Sequence, residues 1–388
     1  VELEKSFETL SDEDAYEVKK FEELVGHDVV AAVKYFEQRL SRMGLEDVKR
    51  FVHFGLTSED VNNIAYAYAI HEFIQTVFIP ELKKLVETLT SLAEQHASTP
   101  FLARTHGQPA VPSTFGSFIA NYAYRIASLT KQLKTLKPEA KLGGAVGDLS
   151  ALASAYPGVD WFGFAERFIT GLGFDYNPAS TQIIPHERTS EILQKTALID
   201  SVAANLCRDM WVLGALGLVG FLKPVGQVHS STMPQKQNPL LFENAEGCFD
   251  LAAALLNYMA SRLLSSRLHR DLSDSVIKRF YGTGFALSLL GVKNTAQALD
   301  QTTVNTEAMK KEVEKHPETM AEAAQLTLRK HAVPNAYEEA AKGIHDIRQT
   351  LLKHGIDPEV IDPTKYIRAA QRKAETLIEK TRNITKTI

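Results

Sequence analysis

The chain has 388 residues, 44% hydrophobic and 23% charged, which places it among ordinary globular proteins and outside the disordered, fibrous and disulfide-stapled classes. Single cores stop growing at roughly 250–300 residues, so this length implies two or three units. Lys plus Arg total 43 against 47 Asp plus Glu, a formal charge of -4, so no bulk positive charge draws in nucleic acid or an anionic membrane. The longest apolar run, Met210 to Leu222, has 13 residues including three glycines, short of the about 20 that span a bilayer. Cys207 and Cys248 lie in apolar helical stretches and read as small buried hydrophobes of a reducing, cytoplasmic protein. No secretory leader pattern is visible. The sequence opens at Val1 in a charged helical pattern, and residues preceding it are expected.

Proline placement organises the rest. None occurs in 1–79, 186–223 or 240–316, and an interior proline removes a helix hydrogen bond and clashes with the preceding turn, so these gaps predict long helices. The head, 1–47, reads as a partial N-terminal helical domain. It carries His27-Asp28, where Asp28 equally fits a helix-start carboxylate. A central helical body, 48–299, is interrupted by three polar stretches that read as loops at helix ends: His53 to Asn63, Arg104 to Ser113 and Gln227 to Glu243. In the first, His53 stands near Thr57 and Ser58, which are also N-cap candidates. In the second, the imidazole of His106 is the side-chain type suited to proton transfer near neutral pH and is able to protonate a leaving nitrogen, while an ordinary hydrogen-bonded histidine fits the same spacing.

Between these interruptions, Phe118, Tyr122, Ile126, Leu129, Leu133 and Leu136 recur at steps of three and four, a helix face. Gly143-Gly-Ala-Val-Gly147 is glycine-rich but lacks a convincing preceding strand, which argues against a dinucleotide loop. Ile199, Val202, Leu206, Met210, Leu213, Leu216 and Val219 form a second face, and Leu251, Leu255, Tyr258, Arg262 and Leu263 a third. Spacings averaging about 3.5 favour helices side by side in a bundle. Such length and all-round apolarity imply faces buried against other subunits. Arg267, Arg270 and Arg279 around Asp271, Asp274 and Ser275 read as a salt-bridged helix face or as a site for phosphate or carboxylate. A Lys/Glu-rich tail with Pro317 and Pro334 forms a C-terminal helical domain, 300–388. The fold class is all-α, a long-helix bundle in three helical domains.

The third interruption is richest in chemistry. Val228-His-Ser-Ser-Thr-Met-Pro-Gln-Lys-Gln-Asn-Pro239, followed by Glu243, combines adjacent hydroxyls, a cation, an amide and a carboxylate where a helix begins. Backbone N–H groups and Lys236 can converge there on one anion, which suits proton abstraction beside a carboxylate. Ser230 serves as a base only where donors stabilise its alkoxide. A polar surface loop with an incidental lysine fits the spacing as well. The sequence contains no His-Glu-x-x-His, paired Cys-x-x-Cys or phosphate-binding Gly-x-x-x-x-Gly-Lys-Ser/Thr motif.

Ser230-Ser-Thr-Met-Pro-Gln-Lys-Gln-Asn-Pro239 resembles the signature loop of the fumarase/aspartase superfamily, whose members eliminate fumarate from succinyl-type substrates. His27-Asp28-Val29, His53 through Asn62, Arg104 through Ala110 with Pro112-Ser-Thr114, Gly144 through Gly147, Tyr156 through Trp161, Asn177 through His186 and Arg270 through Ser275 resemble the bacterial form of its adenylosuccinate lyase branch. The similarity runs from about residue 20 to the end. It implies the fumarase/aspartase bundle, its central helices forming the core of a homotetramer, with each active site assembled from three subunits. It also implies a small nucleotide substrate, and neither metal nor organic cofactor. Two eliminations are implied: adenylosuccinate to AMP, and succinylated aminoimidazole carboxamide ribotide to its carboxamide.

By motif position the resemblance makes Ser230 the general base and His106 the general acid. Lys236 and Asn238 would hold the succinyl carboxylates, and Glu243 would support His106. His27 and His53 become substrate-contacting histidines, and Thr57 and Ser58 succinyl or phosphate contacts. Gln182 becomes a substrate ligand, and Arg270, Ser275 and Arg279 the phosphate and carboxylate end. Asp28, Thr105, Ser231 and Met233, within the same motifs, complete the substrate-binding set. The alternatives are argininosuccinate lyase, suggested by Met-Pro-Gln-Lys, and a catalytically silent member of the fold. Three features depart from the family pattern: His229 replaces the usual Gly before the serine pair, Phe221 to Gly226 is slightly short, and the N-terminal Arg-Tyr pair is not in this sequence.

Overall fold

The computed structural model describes residues 10–222, 226, 232, 233 and 235–388. Helices α1 (Asp12–Val25), α2 (Asp28–Arg42), the single turn α3 (Glu46–Lys49) and α4 (Ser58–Glu72) come first, then a π-helical turn, Phe73–Phe78, and α5 (Ile79–Gln95). Sequence signals set these ends. Ser11 and Asp14 form a reciprocal capping box on α1, and Gly26 closes it in the left-handed conformation, φ 69°. A hairpin of β1 (Pro100–Thr105) and β2 (Gln108–Thr114) runs into α6 (Phe115–Thr135), whose first turn is capped by the Thr114 hydroxyl accepting from the Ser117 N–H at 3.1 Å.

Next come β3 (Glu139–Ala140), α7 (Ser150–Ala155), α8 (Trp161–Gly171), β4 (Asp175–Tyr176, parallel to β3) and the 29-residue α9 (Glu187–Ala215). After β5 (Val219–Phe221) follow α10 (Leu240–Arg262), α11 (Ser273–Lys278), α12 (Tyr281–Asp300) and β6 (Thr302–Val304, antiparallel to β5). The chain continues with α13 (Thr306–Lys315), α14 (Ala321–Lys330), α15 (Ala336–Lys342), α16 (Ile347–Lys353), α17 (Pro363–Tyr366) and α18 (Arg368–Thr385). Among the described residues the sheet content is three two-stranded pairs, so the fold is the all-α class that the proline gaps predict.

The chain divides into two compact units. One comprises Val1–Glu72, Lys137–Thr189 and Leu263–Asp274, the other Phe73–Leu136, Ser190–Arg262 and Ser275–Ile388. In the first, Ala67 of α4, Leu142, Leu149, Leu152, Ala165, Ile169 and Phe174 form the core. On α1 and α2, the Tyr35 hydroxyl donates to Asp14, and Arg39 donates to both Tyr35 (2.7 Å) and Asp14 (3.2 Å). At the foot of α4 lies a buried ion pair. The Lys141 ammonium, 0% exposed, donates to the Asp60 carboxylate at 2.7 Å.

In the second unit α5, α6, α10, α12 and α18 pack together through Leu82, Leu85, Leu89, Ile119, Ile126, Leu133, Phe249 and Leu256. A Cβ at Gly291 of α12 would fall 2.6 Å from the Phe249 ring, so a glycine is what lets α12 and α10 approach. A smaller core of Ala324, Leu328, Ala340, Ile347, Leu351 and Ile361 holds α14 to α16 together. In the middle of α9, Asp200 is fully buried and accepts from the Ser288 hydroxyl of α12 at 2.7 Å. Burial pushes its carboxyl up to about 8, with the Ser288 hydrogen bond opposing.

Four details differ from the sequence expectations. The buried face of α10 is Phe242, Ala245, Phe249, Ala252, Leu256 and Met259, while Leu251 and Tyr258 are 53% and 60% exposed. Apolar residues occupy both faces of this helix, and periodicity alone does not say which turns inward. Second, α9 stops at Ala215, leaving Leu216 exposed and Val219 buried on β5, because Gly217 takes φ 71° and ends the helix. Third, the stretch around His106 is a β hairpin rather than a loop. Fourth, the Arg267–Arg279 region is irregular up to the six-residue α11, so its ion pairs do not lie along a helix face.

Two stability predictions follow from these buried charges. Asp60→Asn leaves the Lys141 ammonium buried without its counter-charge and is expected to cost about 3–5 kcal/mol in denaturant unfolding, with the Asp60→Asn/Lys141→Met double variant recovering part of that loss. For Asp200, a folded pKa raised from 3.8 to about 8 means that its stabilising contribution is complete below about pH 4 and lost as pH rises through 8. Asp200→Asn should therefore flatten the curve, shrinking the fall in Tm between pH 5 and pH 8.5 by at least ~3 °C in calorimetry.

Candidate active site

In the first unit the site residues gather at the N-terminus of α4. Asp60, three residues after Thr57 in capping-box spacing, takes four donors: the Thr57 N–H (2.9 Å), the Gly144 N–H (3.0 Å), the Gly143 N–H (2.8 Å) and Lys141. Gly144 has φ 68°, and a Cβ on Gly147 would lie 2.2 Å from the Ser180 carbonyl oxygen. The glycines of 143–147 therefore serve backbone proximity and anion capture by amides, with the Asp60 carboxylate as the anion. Asn63 completes the junction, donating to the Lys141 carbonyl (3.0 Å) and accepting from the Lys141 N–H (2.8 Å). Burial pushes the Lys141 ammonium below its usual range, and Asp60 opposes that shift.

On this platform, Glu59 and Gln182 both take the guanidinium of Arg270, each at 3.2 Å. Gln182 in turn donates to the Ala145 carbonyl at 3.0 Å. Ser58 lies 3.5 Å from the ring of His27, whose other ring nitrogen is 3.1 Å from Asp28. Asp28 also accepts from the Val29 N–H at 2.8 Å, so its helix-start reading has a structural counterpart. His53 takes φ 58° in the turn before α4 and is half-buried. The unit thus brings together Ser58 with His27 and Asp28, and Gln182 with Arg270, beside the N-terminal turn of α4.

In the second unit His106 and Gly107 are the two-residue turn of the β1–β2 hairpin, both left-handed, φ 55° and 76°. Thr105 and His106 are exposed there. A separate cavity of about 400 Å³ is lined by Trp211, Phe221, Lys236, Asn238, Pro239 and Glu243 among others. Glu243 accepts from the Trp211 indole N–H at 3.0 Å, and its own N–H closes the first turn of α10 on Pro239. Among the described residues no hydrogen bond joins Glu243 to His106. Met233 is exposed and its carbonyl accepts from the Lys236 N–H at 3.1 Å. Ser275 on α11 is half-buried and Arg279 exposed, both in this unit. Ser230, Ser231 and His229 lie outside the described residues.

Sequence reasoning passed over Glu59, Asp60, Asn63, Lys141 and Trp211. The Thr57-x-x-Asp60 spacing was a usable signal, as was a lysine lodged between Ala140 and Leu142 ahead of two glycines. Among the described residues, no group of three His, Cys, Asp or Glu side chains is arranged to hold a metal ion, and no helix is long and apolar enough to cross a membrane.

The model of a family described as lyase matches residues 2–250, and that of the adenylosuccinate lyase C-terminal region matches 266–372. The chain is 39% identical to adenylosuccinate lyase of Vibrio cholerae over 84% of its own length and 72% of the relative's, and 37% identical to that of Escherichia coli over 85% and 73%. It is 36% identical to the Buchnera aphidicola (Schizaphis graminum) protein over 95% and 84%. Crystal structures of a 3-carboxy-cis,cis-muconate lactonizing enzyme from Pseudomonas putida (TM-score 0.79, 21% identity, 97% and 87% covered) and of a fumarate lyase from Mesorhizobium sp. BNC1 (0.80, 18%, 97% and 88%) share the fold. Long-helix architecture, the signature-loop residues and kinship over most of the relatives' length together make this chain a member of the adenylosuccinate lyase family.

Proposed function

We propose that the chain is a carbon–nitrogen lyase that eliminates fumarate from adenylosuccinate, giving AMP, and from succinylated aminoimidazole carboxamide ribotide, giving the carboxamide. The observation that carries this reading is the match to proteins bearing the adenylosuccinate lyase name over most of their length, joined to a C-terminal match specific to that family. Argininosuccinate lyase, the alternative suggested by Met-Pro-Gln-Lys, has no such C-terminal support.

In this reading Ser230 takes the proton from the carbon beside the succinyl carboxylate, and the electron pair spreads onto the carboxylate oxygens. Lys236 and Asn238 stabilise that charge, as cavity-lining donors able to reach an anion. The C–N bond then breaks, the C=C bond of fumarate forms, and His106 delivers a proton to the departing nitrogen. Glu243 supports His106, and Trp211 fixes the Glu243 carboxylate. Arg270, Ser275 and Arg279 take the phosphate and carboxylate end of the substrate, Thr57 and Ser58 are succinyl or phosphate contacts, Gln182, His27 and His53 contact the substrate, and Asp28, Thr105, Ser231 and Met233 complete the binding set. The three-part division near residues 47 and 299 belongs to the same reading.

We also infer a cytoplasmic homotetramer whose active sites combine residues of different subunits. Support comes from the apolar side chains that the long helices leave exposed, including Leu198, Val212, Leu251, Tyr258 and Leu290, which a bundle of subunits would cover. Two buried thiols, Cys207 and Cys248, fit a reducing compartment.

Ultraviolet absorbance on adding adenylosuccinate to the purified protein tests the activity, and release of arginine from argininosuccinate tests the alternative. His106→Ala and Ser230→Ala should each lower turnover at least ~100-fold with unchanged far-ultraviolet dichroism. Near-wild-type turnover in either variant removes that residue from the chemistry. Co-refolding the two inactive variants should restore activity, since mixed oligomers would contain sites with both groups intact. No recovery would place both groups in one subunit.

A further inference from the structure

We propose that Arg104 and Glu312 act as a positioning pair that holds the His106 turn, so that helix α13 of the C-terminal region sets where the acid imidazole stands. The role of that imidazole rests on the fumarate-elimination reading above. The pair itself does not.

The turn needs an external support. His106 is left-handed, a conformation that strains a non-glycine residue, and the ladder behind it is thin. The register runs Thr105↔Gln108 and Arg104↔Pro109, then shifts between Ala103 and Arg104. Pro109, opposite Arg104, has no N–H, and the pairing loses its regular register one residue further from the turn. Arg104 adds a tie from its side chain. One guanidinium arm donates to the Gly107 carbonyl at 3.3 Å, closing the turn from below, and the other donates to the Glu312 carboxylate. Glu312 projects from α13, which packs directly on β1 and is itself anchored by the buried Met309 and Val313.

This pair is partly withdrawn from water, with side chains 25% and 17% exposed. The Arg104 Nε and the second Glu312 oxygen are buried without a hydrogen-bond partner, so among the described residues Arg104 is the one hydrogen-bond partner of the Glu312 carboxylate. Loss of Glu312 would free the guanidinium to turn away from Gly107. Neither side chain belongs to the substrate-contacting set, which makes them positioning rather than catalytic residues.

The test uses the full-length protein and the variants Glu312→Gln, Arg104→Lys and, as a control on the solvent side of the same helix, Glu314→Gln. Two quantities are read: kcat and KM for adenylosuccinate, and amide hydrogen exchange of the peptide spanning 104–110. Glu312→Gln and Arg104→Lys should lower kcat by about 10- to 100-fold with KM within about threefold of wild type. They should also speed hairpin exchange at least about fivefold, while Glu314→Gln changes neither quantity. Unchanged exchange in both variants overturns the proposal whatever their activity, and faster exchange with wild-type kcat overturns it equally. Should the unmodified protein fail to release fumarate, the functional reading falls, and the exchange measurement still decides whether this pair holds the turn.

Discussion

A lysine ammonium without exposed surface carries a desolvation penalty of several kcal/mol, and Lys141 is tolerated because Asp60 meets it at 2.7 Å. The Asp60 carboxylate in turn accepts two loop amides and the Thr57 amide, so its lone-pair sites are filled. Such a pair works geometrically: a displacement that separates the two charges leaves each stranded in a medium of low polarity. The start of α4 is thereby pinned to the 141–145 loop. Glu59, one residue before Asp60, and Ala145, the last residue of that loop, hold Arg270 and Gln182 between them. The polar cluster of Glu59, Arg270 and Gln182 is thereby tied to a buried ion pair.

The hairpin at His106 solves a different problem. An imidazole that is to deliver a proton must be exposed to a ligand yet fixed in place. A two-residue turn with both residues left-handed gives exposure, at the cost of backbone strain in the histidine. Fixation comes from side chains around the strands, with Arg104 bridging Gly107 and α13. At Glu243 the indole of Trp211 plays the equivalent part, holding one carboxylate oxygen where the cavity walls also present Lys236 and Asn238.

Much of the fold was legible in advance. Proline-free gaps located α9, α10 and α12, and the steps of three and four through Phe118, Tyr122, Ile126 and Leu133 marked α6 correctly. The motif residues were legible as motifs, because hydroxyl, amide, imidazole and ammonium groups clustered in otherwise apolar helical sequence are conspicuous. Their partners were less so. Asp60 and Lys141 stand 81 residues apart, Arg270 and Glu59 211, and Arg104 and Glu312 208, separations over which local pattern carries no information. Leu251 and Tyr258 show a related limit: an apolar stripe announces burial without naming what buries it, and on α10 a second stripe faces the chain's own core.

The sequence by itself determined the helical class, the places where helices start and stop, and the chemical kinds of group in each interruption, since these depend on residues within a few positions of one another. Tertiary structure decided which apolar face points inward, that the His106 stretch is a hairpin, and which opposite charges meet. Those outcomes depend on desolvation and close packing between distant segments, where one buried contact of several kcal/mol outweighs any local preference.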